Sequence, residues 1–315
     1  MLSNARSVLV TGATGFIGSA LTHRLSQEGV RTFCLVRRGS AGISRIRDLP
    51  EIDVLETESF DCAALTPRLS KLEVDVHFNL ASAGVDAADR DPHKLLGGNL
   101  DVLVGVIGAV SQGCLRRRFI HIGSCSEYSP APEGHRLTEE DPLFPVSLYG
   151  AAKACSHVYG AAFAKLRNIP FCTLRLFGVF GPGEASYRLI PYVISHLRRD
   201  TPVDLTGGEQ LRDLLYVDDV VEALLLAAKS DALPSGSSYN ICSGQGVSIR
   251  RVAEEVAEAM NKPKNLLRFG ARPYRADEPM WLVGDNQRFR SVTGWLPRVT
   301  LRDGIGEMVS VLEKA

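Results

Sequence analysis

The sequence predicts an α/β protein: a doubly wound parallel sheet followed by a smaller, mostly C-terminal α/β lobe. Three observations predict it. Short apolar runs alternate with helical patterns through the first half of the chain. Such alternation implies parallel strands with helices on both faces. A glycine-rich turn joins the first apolar run to the first helical pattern. Beyond about residue 176 the alternation gives way to turn-rich, irregular texture. The expected division is therefore 1–176 for the sheet domain and 177–315 for the second lobe. The two are expected to interleave, because no flexible linker separates them.

The elements follow in order. Residues 7–10 form the first strand, and residues 16–28 have apolar positions at helical spacing. That helix ends at Gly29, a residue suited to the left-handed position past a helix end. Strands are expected at 32–36, 74–80, 118–122 and 171–175, with helices at 99–110 and 147–166. Asp218 and Asp219 precede an apolar helical run and read as its N-terminal caps. Trp281 and Trp295 are expected to pack in the C-terminal lobe, and Arg116, Arg117 and Arg118 to form a solvated strand entry.

Composition narrows the function classes. The 315 residues carry 36 basic and 36 acidic side chains, for a formal net charge of zero. That balance argues against nucleic acid or an anionic membrane surface as the principal partner. No apolar run approaches the roughly 20 residues that span a bilayer. Residues 1–6 lead straight into the first strand, so no signal peptide is expected. The seven cysteines are scattered, odd in number and without CxxC spacing. That suits free thiols in a cytosolic protein rather than disulfides or a metal cluster.

Gly12, Gly15 and Gly18, in Thr11-Gly12-Ala13-Thr14-Gly15-Phe16-Ile17-Gly18, stand between the first strand and its helix. Small residues there let the backbone approach a pyrophosphate, and the helix N-terminus offers N–H groups to it. The spacing is GxxGxxG rather than GxGxxG. Its position in a strand–loop–helix unit marks a Rossmann-type dinucleotide site. After the second strand come Arg37 and Arg38, where an acidic residue would bind the ribose hydroxyl of NAD. Arginine suits the 2′-phosphate of NADP, so NADP(H) is favoured, with NAD(H) as the alternative.

Tyr149 and Lys153 lie at i and i+4, on one face of a helix. A tyrosine is a poor acid–base near neutral pH. A neighbouring ammonium and a cationic nicotinamide are expected to lower its pKa. Ser124 ends a strand, where a parallel sheet forms its ligand crevice. Its hydroxyl could bond the same substrate oxygen.

Taken together these residues resemble the extended short-chain dehydrogenase/reductases, a superfamily of nucleotide-sugar epimerases, dehydratases and ketoreductases. The resemblance spans essentially the whole chain. It implies that Gly12, Thr14, Gly15, Phe16, Ile17 and Gly18 hold the dinucleotide and that Ser124, Tyr149 and Lys153 form the catalytic triad. It further implies that Leu80, Ala81 and Ser82 run beside the cofactor and that Asn99 structures the site. Cytosolic homodimers, paired through a four-helix bundle that includes the Tyr–Lys helix, are typical of the family.

The second half resembles the family's nucleotide-sugar side. Val179 lies in a sugar-side loop, and Arg212 and Arg275 fall where the family places two diphosphate-binding arginines. Arginine's planar fork suits that role. The family's 4,6-dehydratases carry an Asp–Glu pair directly after the catalytic Ser or Thr. Here Cys125 and Ser126 occupy those positions and are expected only to line the sugar site, so that dehydration is disfavoured. Glu127 is one place further on. Two reactions remain prominent. One is NADPH-dependent reduction of a 4-keto-6-deoxy nucleotide sugar, with Tyr149 as proton donor. The other is 4-epimerisation with retained NAD. A reading of another class, a non-catalytic NAD(P) sensor or assembly factor, commonly goes with loss of the tyrosine or lysine, and both are present. No metal is expected, since hydride transfer needs none.

Overall fold

The structure, a computed structural model, describes residues 7–86, 89 and 91–314. Residues 1–6, expected to lead directly into the first strand, lie outside the described residues. The chain runs β1 (Ser7–Thr11), α1 (Phe16–Gln27), β2 (Arg31–Arg37), β3 (Ile52–Thr57), α2 (Cys62–Leu69) and β4 (Val74–Asn79). It continues through α3 (Pro92–Leu96), a π turn (Gly97–Asp101), α4 (Val102–Val110), β5 (Leu115–Ser124), α5 (Leu148–Arg167) and β6 (Phe171–Leu176). Then come β7 (Gly178–Phe180), α6 (Leu189–Arg198), β8 (Val203–Asp204), β9 (Leu211–Tyr216), α7 (Val217–Lys229) and β10 (Ser237–Ile241). The last elements are β11 (Gly246–Ser248), α8 (Ile249–Ala259), β12 (Leu267–Arg268), β13 (Trp281–Leu282), α9 (Gln287–Thr293) and α10 (Leu301–Lys314).

Seven parallel strands form the main sheet in the order β10-β6-β5-β4-β1-β2-β3. The order reverses between β1 and β4, and there the carboxyl ends of the strands open a crevice. Thr11 closes the foot of that crevice, its hydroxyl donating to Asn79 Oδ1 at 2.6 Å. One face of the sheet packs Leu21 and Leu25 of α1 with Val220, Leu224 and Leu225 of α7. The other face packs Leu65 and Leu69 of α2 with Leu103, Val106 and Ile107 of α4. A separate core joins Val193 and Leu197 of α6, Val252 and Val256 of α8, and Ile305 and Met308 of α10.

The chain crosses between these bodies more than once. After β9, α7 and β10 return to the main sheet, and α9 and Trp295 follow. Trp295 therefore packs against Phe289 in the sheet core, not within the C-terminal lobe. Asp219 is not a cap: its carboxylate accepts the N–H groups of Arg298 and Val299, both at 3.0 Å, and so pins the chain beyond Trp295. Arg118 is buried, not solvated, and donates to the carbonyls of Leu233 and Ser230 at 3.0 Å.

The helical stretch Pro92–Val110 starts earlier than expected. Asp91 caps it by accepting the N–H groups of His93 and Lys94, and Pro92 follows at the first turn. With 19 residues and a mean hydropathy of 1.3, it has the length and composition to cross a membrane. This corrects the expectation that no apolar run comes near that length. In the fold it is a core helix, packed on α2 and α5.

Candidate active site

A cleft of about 780 Å³ runs across the carboxyl ends of β1, β4, β5 and β6. Its wall contains Gly12, Gly15, Phe16, Ile17, Gly18, Leu80 and Ser82 at one end. Ser124, Cys125, Ser126, Tyr149, Lys153 and Val179 also line it, and Arg212 and Arg275 complete the substrate side. These residues come from distant parts of the chain and converge as the sequence predicts. Thr14, Arg37, Arg38, Ala81 and Asn99 stand outside that lining.

The three glycines of the first loop do different work. Gly12 has a φ of +76°, and a Cβ there would fall 2.5 Å from the carbonyl carbon of Leu80. At Gly18 a Cβ would fall 2.0 Å from the Gly12 carbonyl oxygen. Both are needed for the loop, α1 and β4 to close on one another. At Gly15 a Cβ would meet only the Gly12 oxygen, at 3.3 Å, so the space in front of it faces the cleft. Gly15 also begins α1 without any side-chain cap, which leaves the helix N-terminus to a ligand. The cradle fits the pyrophosphate of a dinucleotide. Gly18→Ala should lower stability by about 1–3 kcal/mol, the ordinary cost of overpacking. Gly15→Ala should leave the melting temperature unchanged and weaken dinucleotide binding. Thermal melts with and without cofactor check both outcomes.

Ser124 ends β5 in an extended conformation and begins a tight capping turn. Its hydroxyl accepts the Ser126 N–H at 3.1 Å, and the Glu127 carboxylate accepts the Ser124 N–H at 2.7 Å. Ser147 starts α5 by accepting the Gly150 N–H at 3.0 Å. A Cβ at Gly150 would fall 2.0 Å from the Ser126 carbonyl oxygen, so α5 presses directly on the turn. That contact sets Tyr149 beside Ser124. The Tyr149 hydroxyl has Ser82 and Ser124 as hydrogen-bonding neighbours.

Lys153 is buried and donates from Nζ to the Ile122 carbonyl at 2.9 Å. Burial pulls its pKa down to about 8. Burial also raises the pKa of Tyr149, against the opposing effect of Ser82 and Ser124. The sequence leads to the expectation of a lowered value, and the protein alone reverses it, because loss of water around the phenol outweighs its polar neighbours. A phenol held in its protonated form is suited to donate a proton.

Asn99 acts one step behind the cleft. It sits buried in the π turn, donates to the carbonyls of Ala83 (3.0 Å) and Leu95 (2.7 Å), and accepts from Ser82 at 2.9 Å. It thereby fixes the loop that brings Ser82 to Tyr149. Thr14 bonds Ser40 at 2.8 Å and joins the glycine loop to the turn after β2. Arg37 and Arg38 are exposed at the end of β2, and Arg38 pairs with Glu58.

Cys125 is buried, and burial pushes its thiol up to about 12, so it is a small apolar wall rather than an acid–base. Glu127 does not replace the missing carboxyl pair. It is fully buried and turned away from the cleft toward Arg175, whose Nε lies 2.7 Å from its other oxygen. Arg212 and Arg275, from β9 and the loop before β13, both contact Glu278. Sequence reasoning missed the roles of Glu278 and of the Glu127–Arg175 pair, since Arg212 and Arg175 lie far along the chain from the acids they meet. Trp281 lines the cleft rather than the interior of the C-terminal lobe. Among the described residues no group of three or more histidines, cysteines or acids is arranged to hold a metal.

The model of the NAD dependent epimerase/dehydratase family matches residues 8–242. The CDP-abequose synthase of Salmonella typhimurium is 33% identical, over 97% of this chain and 98% of its own. The dTDP-6-deoxy-L-talose 4-dehydrogenase (NAD(P)(+)) of Kitasatospora kifunensis is 27% identical, over 96% and 94%. The UDP-glucose 4-epimerase of Thermus thermophilus, solved as a complex with NAD, superposes with a TM-score of 0.87 at 25% identity. That superposition covers 98% of this chain and 99% of the epimerase.

Proposed function

Since the chain belongs to the NAD dependent epimerase/dehydratase family, we propose that it reduces a 4-keto-6-deoxy nucleotide sugar. The observation that carries this reading is the convergence of Ser124, Tyr149 and Lys153 in one cleft, between the glycine cradle and two arginines. In that arrangement Ser124 and Tyr149 bond the 4-keto oxygen, and Tyr149 donates the proton as the oxygen becomes a hydroxyl. Lys153 supplies the positive charge that supports the phenolate left behind. The glycine cradle of Gly12, Gly15 and Gly18 would hold NADPH, which would supply the hydride. Arg212 and Arg275 meet the diphosphate, and Cys125, Ser126 and Val179 line the sugar site.

Reduction is favoured over dehydration by what stands beside Ser124. Cys125 is apolar in effect, and the only acid of the turn, Glu127, is committed to Arg175. A similar protein is named for the 4-position of a dTDP-6-deoxy sugar and for use of either dinucleotide. Arg37 and Arg38 favour NADP(H). Engagement of Arg38 by Glu58 leaves Arg37 to meet a 2′-phosphate, and on that account an NAD-retaining 4-epimerase is the second reading. We read the protein as a cytosolic homodimer paired along α5, whose Val158, Tyr159 and Leu166 are exposed.

The test is NADPH consumption with a panel of 4-keto-6-deoxy sugars carried on UDP, CDP, GDP and dTDP. Net oxidation of NADPH with one of them is expected. Tightly held NAD(H) in the purified protein, with epimers interconverting and no net use of NADPH, would instead establish the epimerase.

A further inference from the structure

We propose that Glu278 is a positioning residue that holds Arg212 and Arg275 side by side from behind the cleft wall and makes a single two-armed anion site of them. It deepens the reading that these arginines meet the substrate's diphosphate, and assigns the reason they can do so together. Arg212 comes from β9 and Arg275 from the loop before β13; the pairing of β13 with β9 brings these segments together but does not by itself hold the two guanidiniums side by side. Glu278 bridges them with one oxygen each. Oε1 contacts Arg212 Nη2, and Oε2 lies 2.7 Å from Arg275 Nη2 and 2.8 Å from its Nε.

Burial distinguishes a backing role from a competing one. Both arginines line the cleft, whereas Glu278 does not, and its side chain is only 11% exposed. A carboxylate in front of the guanidiniums would have to leave when a diphosphate arrived. Behind them, it stays. It also offsets the repulsion between two like charges in a partly dehydrated site, where such repulsion is strongest. Arg212 is steadied further by donating from Nη1 to its neighbour's carbonyl, Leu211 O, at 2.9 Å. These bonds use two of the five N–H groups on each guanidinium and leave the others to take phosphate oxygens in forked pairs.

The two roles predict opposite signs. In Glu278→Gln the amide presents one oxygen and one NH₂, and the NH₂ faces a guanidinium. One arginine is then released. Binding would be measured with whichever of UDP, CDP, GDP and dTDP the wild-type protein holds most tightly, and with its unphosphorylated nucleoside. Expected for Glu278→Gln is a roughly tenfold loss of diphosphate affinity, typical of a lost charge-assisted contact. Nucleoside and NADPH affinities should be unchanged, and KM should rise with kcat retained. Glu278→Asp, which keeps the charge on a shorter arm, should fall between the two and guards against simple misfolding. Unchanged or tighter diphosphate binding in Glu278→Gln, in a wild type that prefers diphosphate to nucleoside, overturns the proposal alone. A wild type that holds nucleoside and diphosphate equally overturns the diphosphate reading, and this proposal with it.

Discussion

Tyr149→Phe is expected to lower turnover by about 10²- to 10⁴-fold, the usual worth of a positioned general acid. The ring survives the change, so α5 keeps its contact with the turn after Ser124, and nucleotide binding should hold. Only the proton donor is lost. The site is built around that hydroxyl: Asn99 fixes Ser82, the capping turn fixes Ser124, and both serines stand beside the phenol. The two neighbouring titrations set the pH dependence. Burial raises the pKa of Tyr149, so the phenol remains a donor through neutral pH. Burial lowers that of Lys153 to about 8, so its positive charge is present below that value and lost above it. A phenolate formed by proton donation then has no cation beside it. Reductive turnover should therefore fall as pH rises through about 8, and a Lys153→Met protein should be slow at every pH without that step. Rates of NADPH oxidation across pH 6–10 would check it. Undiminished turnover in Tyr149→Phe would remove the phenol from the mechanism and revive the non-catalytic reading.

The residues that could be read from sequence are those whose signal is local. The glycine loop falls between a strand and a helix, Tyr149 and Lys153 share a helix face, and Ser124 ends a strand. Each needs only a few neighbouring residues to be recognised. What escaped depends on partners far along the chain. Arg118 looks like one of three surface arginines, yet its guanidinium is buried under carbonyls of Ser230 and Leu233. Asp219 has the look of a cap and instead holds Arg298 and Val299. β3 is an edge strand with Asp53 exposed and its other positions, Glu56 included, half-buried, so its periodicity carries little hydrophobic contrast. The start of the 92–110 helix was locally legible in Asp91-Pro92, a cap followed by a first-turn proline. Gly97 and Gly98 masked its continuity, because glycines ordinarily weaken a helix. Here they accompany the widened turn that turns Asn99 toward Ser82.

Glu127→Ala carries the largest expected loss of stability, about 3–5 kcal/mol, the scale set by breaking a buried ion pair at one side. Glu127 is fully buried and Arg175 is 2% exposed, so the abandoned guanidinium has no water to replace its partner. Two further contacts, to the Tyr128 hydroxyl at 3.1 Å and the Ser238 hydroxyl at 3.0 Å, are neutral and do not cancel its charge. The same substitution removes the acceptor of the Ser124 N–H, which is bonded at 2.7 Å. Stability and catalysis can be separated by changing both partners. Glu127→Leu with Arg175→Met replaces the pair by apolar groups of similar length, a change that in other buried pairs is neutral or stabilising. The double variant should regain most of the lost stability in denaturant unfolding. Its turnover should stay low, because the Ser124 N–H still lacks an acceptor and the turn no longer holds the serine against Tyr149. Glu127→Gln retains an acceptor oxygen and should keep more activity than the double variant, although it leaves the Arg175 charge uncancelled and is the less stable of the two. If turnover instead follows stability across all three proteins, Glu127 serves the core alone and Ser124 is positioned by α5.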